Sequence, residues 1–408
     1  MVDKPIHGFE KLAEKSQLLP QEVLLEISSK SHHLNIGIPN EIALQERRVP
    51  LNPESVRLLT GNGHEVLIES GAGLSSNYLD NDYSEAGAKI VYSHKEAFNA
   101  DIVIKVEPPT EREIELIQPG KTLISALQTV SLKRSYFEKL NSKKITAIGY
   151  ELLEDNAGGM PAVRAMSEIA GSTSILIAAR YLGSSKTGKG IILGGITGVP
   201  PAKVVILGAG TVGEYAARAA LGLGVELQIF DDKIYKLRRI KHALGQRVFT
   251  STFQPEVLNE SLKSADVVIG ALRTEKDKRR LMISREIVSQ MAPGTVIIDV
   301  SIDQGGCFET SRITTHENPV FIEYDIIHYC VPNIASRFAK TASAALSNIF
   351  TPVLLQVADT GGIDKMIFIY QWFLKGVYAY KGFLTNTEIA EKTGLKSKDL
   401  HLLMAARF

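Results

Sequence analysis

Short apolar runs separated by turn residues dominate the chain from residue 34 onward, and stretches of helical period lie between them. Apolar runs of this length, bounded by Gly, Pro, Asn and Ser, are typical of buried strands. They predict strands at residues 34–39, 65–69, 90–92, 102–106, 122–125 and 146–150. Strands that alternate with helices indicate an α/β fold, with mainly parallel sheets and helices on their faces.

A second alternating series follows an apolar, small-residue helix at residues 167–182 and a glycine-rich segment at 188–198. It predicts strands at residues 203–207, 225–230, 248–250, 267–270, 296–300 and 320–322. A helix predicted at residues 336–356 returns the chain to the first domain, and two or three helices follow in the tail.

We therefore expect two doubly wound, Rossmann-like domains. A discontinuous substrate domain comprises residues 34–165 and 336–408, and a nucleotide-binding domain comprises residues 166–335. Residues 1–33 carry a weak helical pattern, which predicts a helical N-terminal extension.

Composition and charge narrow the class of protein. The 408 residues carry a formal net charge of +1, which gives no long-range attraction to nucleic acid or to an anionic membrane. Every apolar run is shorter than the roughly 18 residues of a membrane span. Two cysteines and an N-terminus without a signal pattern favour a cytoplasmic location. The nine histidines are scattered, and no Cys or His spacing predicts a metal site.

A glycine-rich turn at residues 208–213 directly follows an apolar strand and opens a helix, as a dinucleotide-binding turn requires. Gly208 permits the tight turn, Gly210 lets the backbone approach a pyrophosphate, and Gly213 lets helix and strand pack closely. Asp231 ends the next strand, where an acidic side chain accepts hydrogen bonds from the adenosine ribose. A carboxylate there repels a 2′-phosphate, so the pattern predicts NAD rather than NADP. A glycine turn without a ligand is the alternative.

Two later segments end at the same edge of the predicted second sheet. Ala271 and Leu272 close the strand that faces the nicotinamide side, and Asp303 lies in a polar loop after the strand at residues 296–300. Because ligands bind at the carboxyl ends of such strands, we expect Asp303 beside the nicotinamide ring. The alternative role for Asp303 is a helix cap or a turn cap. Cys307, in the same loop, is interpreted as a packed thiol.

Two cationic side chains mark the substrate side of the first domain. Arg48 follows a strand, and its guanidinium could hold a substrate carboxylate through two parallel bonds. Lys105 lies between Ile104 and Val106, where a lysine is costly to bury without a partner such as a carboxylate or a carbonyl oxygen. The alternatives are a surface salt bridge for Arg48 and an edge-strand lysine whose amine reaches solvent for Lys105.

Several segments resemble the alanine dehydrogenase family and, more distantly, the NAD-binding subunit of proton-pumping nicotinamide nucleotide transhydrogenase. The most specific is Asp-Val-Ser-Ile-Asp-Gln-Gly-Gly-Cys-Phe-Glu at residues 299–309. The others lie, in family order, at residues 37–41, 46–51, 63–66, 71–73, 105–106, 166–171 and 201–210. The resemblance implies two domains with NAD in the cleft between them, and a homo-oligomer, either a hexamer or a dimer.

The resemblance also assigns roles to individual residues. It implies that Arg48 and Lys105 hold the substrate and that Asp303 lies beside the reacting carbon. The cofactor contacts that the turn and the resemblance predict together are Ser167, Gly208, Gly210, Val212, Gly213, Asp231, Lys236, Ala271, Leu272, Arg312 and Asn333.

One position departs from the family at the chemistry. The family has a catalytic histidine on the loop after the strand at residues 122–125, and the matching residue here is Gln128. An amide can orient a substrate but cannot take up a proton at neutral pH. We therefore assign proton transfer to Asp303 and substrate orientation to Gln128.

Three functions remain open at this point. The first is an NAD-dependent amino acid dehydrogenase that oxidises L-alanine to pyruvate and ammonia. The second is a transhydrogenase-like NAD(H)-binding module, which would need a membrane partner. The third is a catalytically inactive NAD-binding regulator. A segment at residues 386–395 faintly resembles a helix-turn-helix, but its mixed charge favours interface packing over DNA binding.

Overall fold

A computed structural model of the chain describes residues 32–127, 132–155, 157–273 and 282–405. Gln128 and nearly all of the predicted N-terminal extension lie outside the described residues.

The described strands form two sheets of eight and seven strands. The strands are β1 Asn35–Ile38, β2 Glu65–Glu69, β3 Lys89–Val91, β4 Ile102–Ile104, β5 Thr122–Ser125, β6 Thr146–Gly149, β7 Lys203–Leu207, β8 Glu226–Phe230, β9 Phe249–Ser251, β10 Val267–Gly270, β11 Val296–Asp299, β12 Val320–Glu323, β13 Ile326–Tyr329, β14 Val377–Tyr380 and β15 Phe383–Leu384. The first sheet has the order β15-β14-β6-β5-β4-β1-β2-β3, and the second has the order β12-β13-β11-β10-β7-β8-β9.

Helices cover both sheets. The α-helices are α1 Pro53–Gly61, α2 Asp80–Glu85, α3 His94–Ala97, α4 Glu111–Leu116, α5 Arg134–Ser142, α6 Pro161–Leu182, α7 Thr211–Gly222, α8 Ile234–Leu244, α9 Pro255–Ser264, α10 Arg285–Ser289, α11 Ala339–Thr360, α12 Ile363–Ile369, α13 Gln371–Leu374, α14 Thr387–Thr393 and α15 Leu400–Ala405. Short 3-10 turns lie at Leu74–Ser76, Tyr150–Leu152, Ile302–Gln304 and Ile334–Phe338.

The central strands are buried along their whole length and mainly apolar because both faces of each sheet are covered. All of β4, β5, β6, β10 and β11 is buried. In β4, Ile102 and Ile104 join one hydrophobic cluster, while Val103 joins another on the opposite face. This is the pattern of parallel strands between two layers of helices, and it confirms the predicted α/β class with two mainly parallel sheets.

The sequence pattern missed strands that form antiparallel pairs toward the edges of the two sheets. The tail, predicted as helices alone, also contributes β14, which pairs antiparallel with β6 and so extends the first sheet. In the second sheet, the additional strand β13 pairs antiparallel with β12. A segment of four residues is too short to establish a strand period by itself, and in β13 and β14 the pairing with a neighbouring strand decides the structure.

Two long helices connect the sheets. The first, α6, begins at Pro161, six residues before its predicted start. Proline suits the first turn of a helix because the N–H that it lacks would have no partner within the helix there. The second, α11, packs against α6 and α1. The segment Ile334–Thr360 is long enough to cross a membrane and contains an apolar window of 18 residues with a mean hydropathy of 1.3. Half of that window is buried within the protein. We interpret this segment as a core helix.

Candidate active site

The glycine turn has the geometry that its sequence predicts. Gly208 has a φ of +113°, and a β-carbon there would lie 2.4 Å from the Ala271 carbonyl oxygen. A β-carbon on Gly213 would lie 1.9 Å from the Gly208 carbonyl oxygen, so α7 can pack on β7 only with glycine at this position. At Gly210 the same atom would meet none of the described atoms within 4 Å, because that side opens into a cavity.

That cavity, of about 750 Å³, runs from the N-terminus of α7 to the carboxyl end of β8. Helix N-termini present unpaired N–H groups and the positive end of the helix dipole, which favour phosphate. Val212 and Lys236 line the cavity together with Asp231. Its extent and donors fit the pyrophosphate and adenosine of a dinucleotide.

Asp231 has a structural role as well as its predicted ligand role. Its carboxylate accepts hydrogen bonds from the backbone N–H groups of Ala209 and Lys233, both at 2.8 Å. It thereby fixes the glycine turn to the end of β8. Burial raises the pKa of the Asp231 carboxyl, although these N–H groups act in the opposite direction. Lys236 Nζ lies 3.9 Å from the carboxylate.

A second cavity, of about 450 Å³, continues from the first at the carboxyl ends of β10 and β11. Ser167, Val212, Ala271 and Leu272 line both cavities, so the two form one groove. The second cavity brings Asp303 and Asn333 from the nucleotide side together with Tyr150 from the first sheet.

Asp303 lies in the 3-10 turn Ile302–Gln304 and is exposed to the cleft. The cleft walls keep water away from the Asp303 carboxyl and so raise its pKa, whereas the backbone N–H of Asn333 and the charge of Arg48 act to lower it. Asn333 has a left-handed backbone, with a φ of 53°, and its side-chain Nδ2 donates to Glu46 Oε2 at 2.7 Å. Asn333 therefore connects Asp303 with the loop that carries Arg48.

Arg48 is buried in a group of charges. Its Nε donates to Glu46 Oε1 at 2.7 Å and its Nη2 to Glu46 Oε2 at 2.6 Å, a two-bond pair. Nη2 also lies 3.3 Å from Glu107 Oε1, and Nη1 lies 3.3 Å from the Met166 sulfur. Although burial opposes its ionisation, the Arg48 guanidinium holds the pKa of Glu46 down at about 2. Met166 also lines the cleft, so this edge of the guanidinium lies directly behind the cavity wall.

Lys105 is placed differently from Arg48. Its side chain is 1% exposed, and its Nζ lies 2.8 Å from Glu113 Oε1 and 3.2 Å from Glu41 Oε2. Burial acts to lower the pKa of the Lys105 amine, but the two carboxylates outweigh it and raise the pKa. Glu113 in turn contacts His94 Nε2 at 3.1 Å. Lys105 does not line either cavity of the groove, so its predicted contact with substrate stays a prediction.

The remaining predicted residues divide between the groove and its surroundings. The Arg312 guanidinium stacks on the Phe321 ring, 4.1 Å from its centroid, and does not line the two cavities. Cys307 is buried and forms no disulfide, as expected of a packed thiol. The described residues contain no group of three His, Cys, Asp or Glu side chains placed to hold a metal.

The sequence pattern gave no role to four residues that the structure places at or beside the cleft: Glu46, Glu107, Tyr150 and Met166. Glu46 is two positions from Arg48, and Glu107 is two positions from Lys105. This spacing of opposite charges could have predicted that the glutamates pair with the basic residues. The Tyr150 hydroxyl donates to the Val106 carbonyl at 2.9 Å. No local sequence pattern predicts this contact, because the two residues are 44 positions apart.

Comparisons with known proteins agree on one family. Models of the "Alanine dehydrogenase/PNT" N-terminal and C-terminal domains match residues 37–170 and 174–387. The chain is 38% identical to an alanine dehydrogenase of Mycolicibacterium smegmatis, covering 91% of this chain and 99% of that protein. It is 39% identical to an alanine dehydrogenase of Methanococcus maripaludis, covering 87% and 95%.

Solved structures agree with these matches. A structure titled L-alanine dehydrogenase superposes with a TM-score of 0.81 at 37% identity, over 87% of this chain and 98% of that one. A transhydrogenase structure from Sinorhizobium meliloti shares the fold, with a TM-score of 0.73 at 22% identity, over 86% of this chain and 99% of that one. The family models and the relatives confirm the resemblance predicted from the motifs, and the chain belongs to the alanine dehydrogenase family.

Proposed function

We propose that this chain is an NAD-dependent alanine dehydrogenase, an oxidoreductase that converts L-alanine, NAD and water to pyruvate, ammonium, NADH and a proton. The observation that carries this proposal is the continuous groove. It joins the glycine turn and Asp231 to a cavity that holds Asp303, with Arg48 directly behind the cavity wall. The curated relatives, which match nearly the whole chain, are named for the same reaction.

The nucleotide half of the groove binds NAD. Gly210 and the first turn of α7 hold the pyrophosphate, while the Asp231 carboxylate accepts the ribose hydroxyls and repels a 2′-phosphate. When bound, the nicotinamide ring supplies the hydride acceptor, and the protein supplies orientation and charge.

Arg48 holds the substrate carboxylate. Glu46 already occupies its Nε and one side of Nη2, so the substrate meets the Nη1 edge, where Met166 is the neighbour. This arrangement gives an end-on contact rather than the two parallel bonds that the sequence suggested. Lys105, paired with Glu41 and Glu113, supports the end of β4 from behind the site.

Asp303 moves the proton. Oxidation of an amino acid requires a group that takes a proton from the substrate nitrogen, and such a group works best when its pKa is near the working pH. Asp303 is open to the cleft, and burial shifts the pKa of its carboxyl in that direction. Gln128, for which we propose the orienting role, follows β5 in the chain.

The decisive experiment measures NADH formation from a panel of L-amino acids with NAD and with NADP, at alkaline pH. We expect turnover of alanine with NAD and much weaker activity with NADP. Asp303→Asn keeps the shape of the side chain and removes the proton acceptor, so it should reduce the turnover number at least a hundredfold, in line with roughly 10²–10⁴ for general acid–base catalysis. NADH affinity should change little, which separates chemistry from folding.

Two results would contradict these assignments. Full activity of Asp303→Asn would show that the proton moves by another route. NADH binding without turnover of any amino acid would favour an NAD-binding regulator, the alternative that Gln128 raises.

We further propose that the protein is a cytoplasmic homo-oligomer. Both cysteines are buried thiols that form no disulfide, which suits a reducing compartment. Ile191, Ile192, Ile196 and Val199 form an exposed apolar stretch of the kind that subunit interfaces cover. Light scattering after gel filtration measures the mass, and a monomer would contradict this proposal.

A further inference from the structure

Two carboxylates compete for one guanidinium beside the substrate site. Glu46 and Glu107 both lie within 3.3 Å of Arg48 Nη2, and all three side chains are largely buried. If both carboxylates were ionised, the group would carry a net charge of −1 in a poorly solvated place. Like charges in such a position favour retention of one proton by the pair.

The contacts determine which carboxyl holds that proton. Glu46 accepts two bonds from the Arg48 guanidinium, one from Asn333 Nδ2 and others from the backbone N–H groups of Arg47 and Arg48. Glu107 has the longer contact with Arg48 and a hydrogen bond with the Glu46 side chain. Burial and then the Glu46 charge raise the pKa of Glu107 to about 8. Glu107 is therefore the protonated partner at neutral pH.

The groups that act on Glu107 come from several elements. Glu46 and Arg48 face it from the loop after β1, with Glu41 on the same loop, and Tyr150 approaches from the turn after β6. Lys105, two positions earlier, is paired with Glu41 and Glu113. Asp303 interacts with the same group through the Arg48 charge.

We propose that Glu107 is a protonation-dependent positioning residue of the substrate site. As a neutral acid it leaves the positive charge of Arg48 available to a substrate carboxylate, and as a carboxylate it competes with the substrate for that charge. Glu107 acts through Arg48 and does not itself contact the substrate. This inference rests on the proposed function, since it requires a ligand with a carboxylate in the cleft.

The sign of the pH dependence follows directly. Below the pKa of about 8, the group Glu46–Arg48–Glu107 is neutral. Above it, the group is negative and repels the ligand, so the dissociation constant rises with pH. For a group with this pKa, exclusion of the ionised form weakens binding about tenfold between pH 7 and pH 9.

The test measures pyruvate binding to the enzyme–NADH complex, without ammonia, by quenching of NADH fluorescence from pH 7 to pH 9. Pyruvate has no group that titrates in this range, so a change in affinity reports on the protein. We expect the tenfold weakening in the unmodified protein and a flat profile in Glu107→Gln, which keeps the shape and removes the titration. Asp266→Asn is the control, because Asp266 is also a partly buried, ion-paired carboxylate, bound to Lys189 away from the cleft. This variant should keep the pH dependence.

A second measurement uses the unmodified protein alone. At pH 8.5, pyruvate binding should take up protons from a weakly buffered solution, to at most one per site. A flat affinity profile without proton uptake would overturn the role of Glu107 while the dehydrogenase function stands. A pH dependence that persists in folded, NADH-binding Glu107→Gln would also overturn it. If pyruvate binds at no pH, the proposed function itself is wrong, and this inference falls with it.

Discussion

At the scale of single residues, buried charges dominate the substrate end of the protein. Arg48 and Lys105, the two basic residues predicted there, are each held by two glutamates. The two charge groups differ in position, because Arg48 lies behind the wall of the cleft and Lys105 lies behind the end of β4. Burying such charges is costly unless each is paired, so removing one member should affect stability before it affects chemistry.

Lys105→Met should destabilise the protein, because it leaves Glu41 and Glu113 without their buried counter-charge. A buried carboxylate that loses its partner costs about 3–5 kcal/mol. Urea unfolding followed by circular dichroism measures the change. The double variant Lys105→Met/Glu113→Gln should recover part of the loss, because it removes one of the unpaired charges.

The same double variant separates the two roles considered for Lys105. If the lysine is a structural partner, the stabilised double variant should bind pyruvate in the presence of NADH nearly as well as the unmodified protein. Loss of pyruvate binding in a stable double variant would show that Lys105 contacts the substrate. Unchanged stability of Lys105→Met would contradict the structural role.

At the scale of elements, the contact between α6 and α7 positions the cofactor turn. A β-carbon on Gly171 of α6 would lie 2.3 Å from the Val212 carbonyl oxygen and 3.0 Å from the Ala216 nitrogen. The two helices can therefore approach closely only with glycine at position 171. Val212 also lines both cavities of the groove, so the helix contact and the cofactor site share a residue.

Gly171→Ala should push α6 and α7 apart, because the atoms that it meets belong mainly to the backbone. Overpacking of this kind costs about 1–3 kcal/mol, and we expect a lower melting temperature together with weaker NADH binding. Differential scanning fluorimetry and NADH fluorescence titration measure the two effects.

Gly222→Ala is the matched control. Gly222 ends α7, and its added carbon would meet none of the described atoms within 4 Å. Alanine is the better helix former by about 1 kcal/mol, so this variant should be as stable as the parent or more so. Equal melting temperatures and NADH affinities for Gly171→Ala and the parent would contradict the packing argument.

At the scale of the whole molecule, the cleft lies between two sheets that are joined by α6, α11 and a few polar contacts. The loop after β1 is tied to the turn after β13 by Asn333 Nδ2 and by Ser336 Oγ, which accepts from the Arg47 N–H at 3.0 Å. Asn333 donates a hydrogen bond to Asp303 on the nucleotide side and another to Glu46 on the substrate side. Substrate binding and cofactor binding should therefore be coupled at this point.

Asn333→Gly tests this coupling. Glycine keeps the left-handed backbone and its N–H to Asp303, but it loses the bond to Glu46. A hydrogen bond to a charged group contributes about 1.5–3 kcal/mol, so pyruvate affinity in the enzyme–NADH complex should fall roughly tenfold or more. Fluorescence titration at saturating NADH measures this. Asn333→Ala should be worse, because alanine also strains a positive φ. If Asn333→Gly weakens NADH binding alone, the residue is only a cofactor contact.

The sequence by itself determined the architecture and the family. Buried parallel strands are nearly continuous apolar runs, so the central strands could be located to within a few residues. Gly208 and Gly213 were predictable because only glycine fits where a β-carbon would lie about 2 Å from a backbone oxygen. Gly210 was predictable because the turn must leave room for a pyrophosphate. Such local constraints leave a direct record in the sequence, and the motif at residues 299–309 identified the family from a single chain.

The tertiary structure alone decided how the charges are arranged. Arg48 and Lys105 look alike in sequence, as basic residues beside strands, yet Arg48 lies directly behind the cleft wall and Lys105 lies behind the end of a strand. The partners that distinguish them come from distant positions, such as Asn333 for Glu46. The strand β14 is likewise defined by pairing with β6, more than 200 positions earlier. Pairing of charges and strands depends on distances in the folded chain, and local sequence does not record those distances.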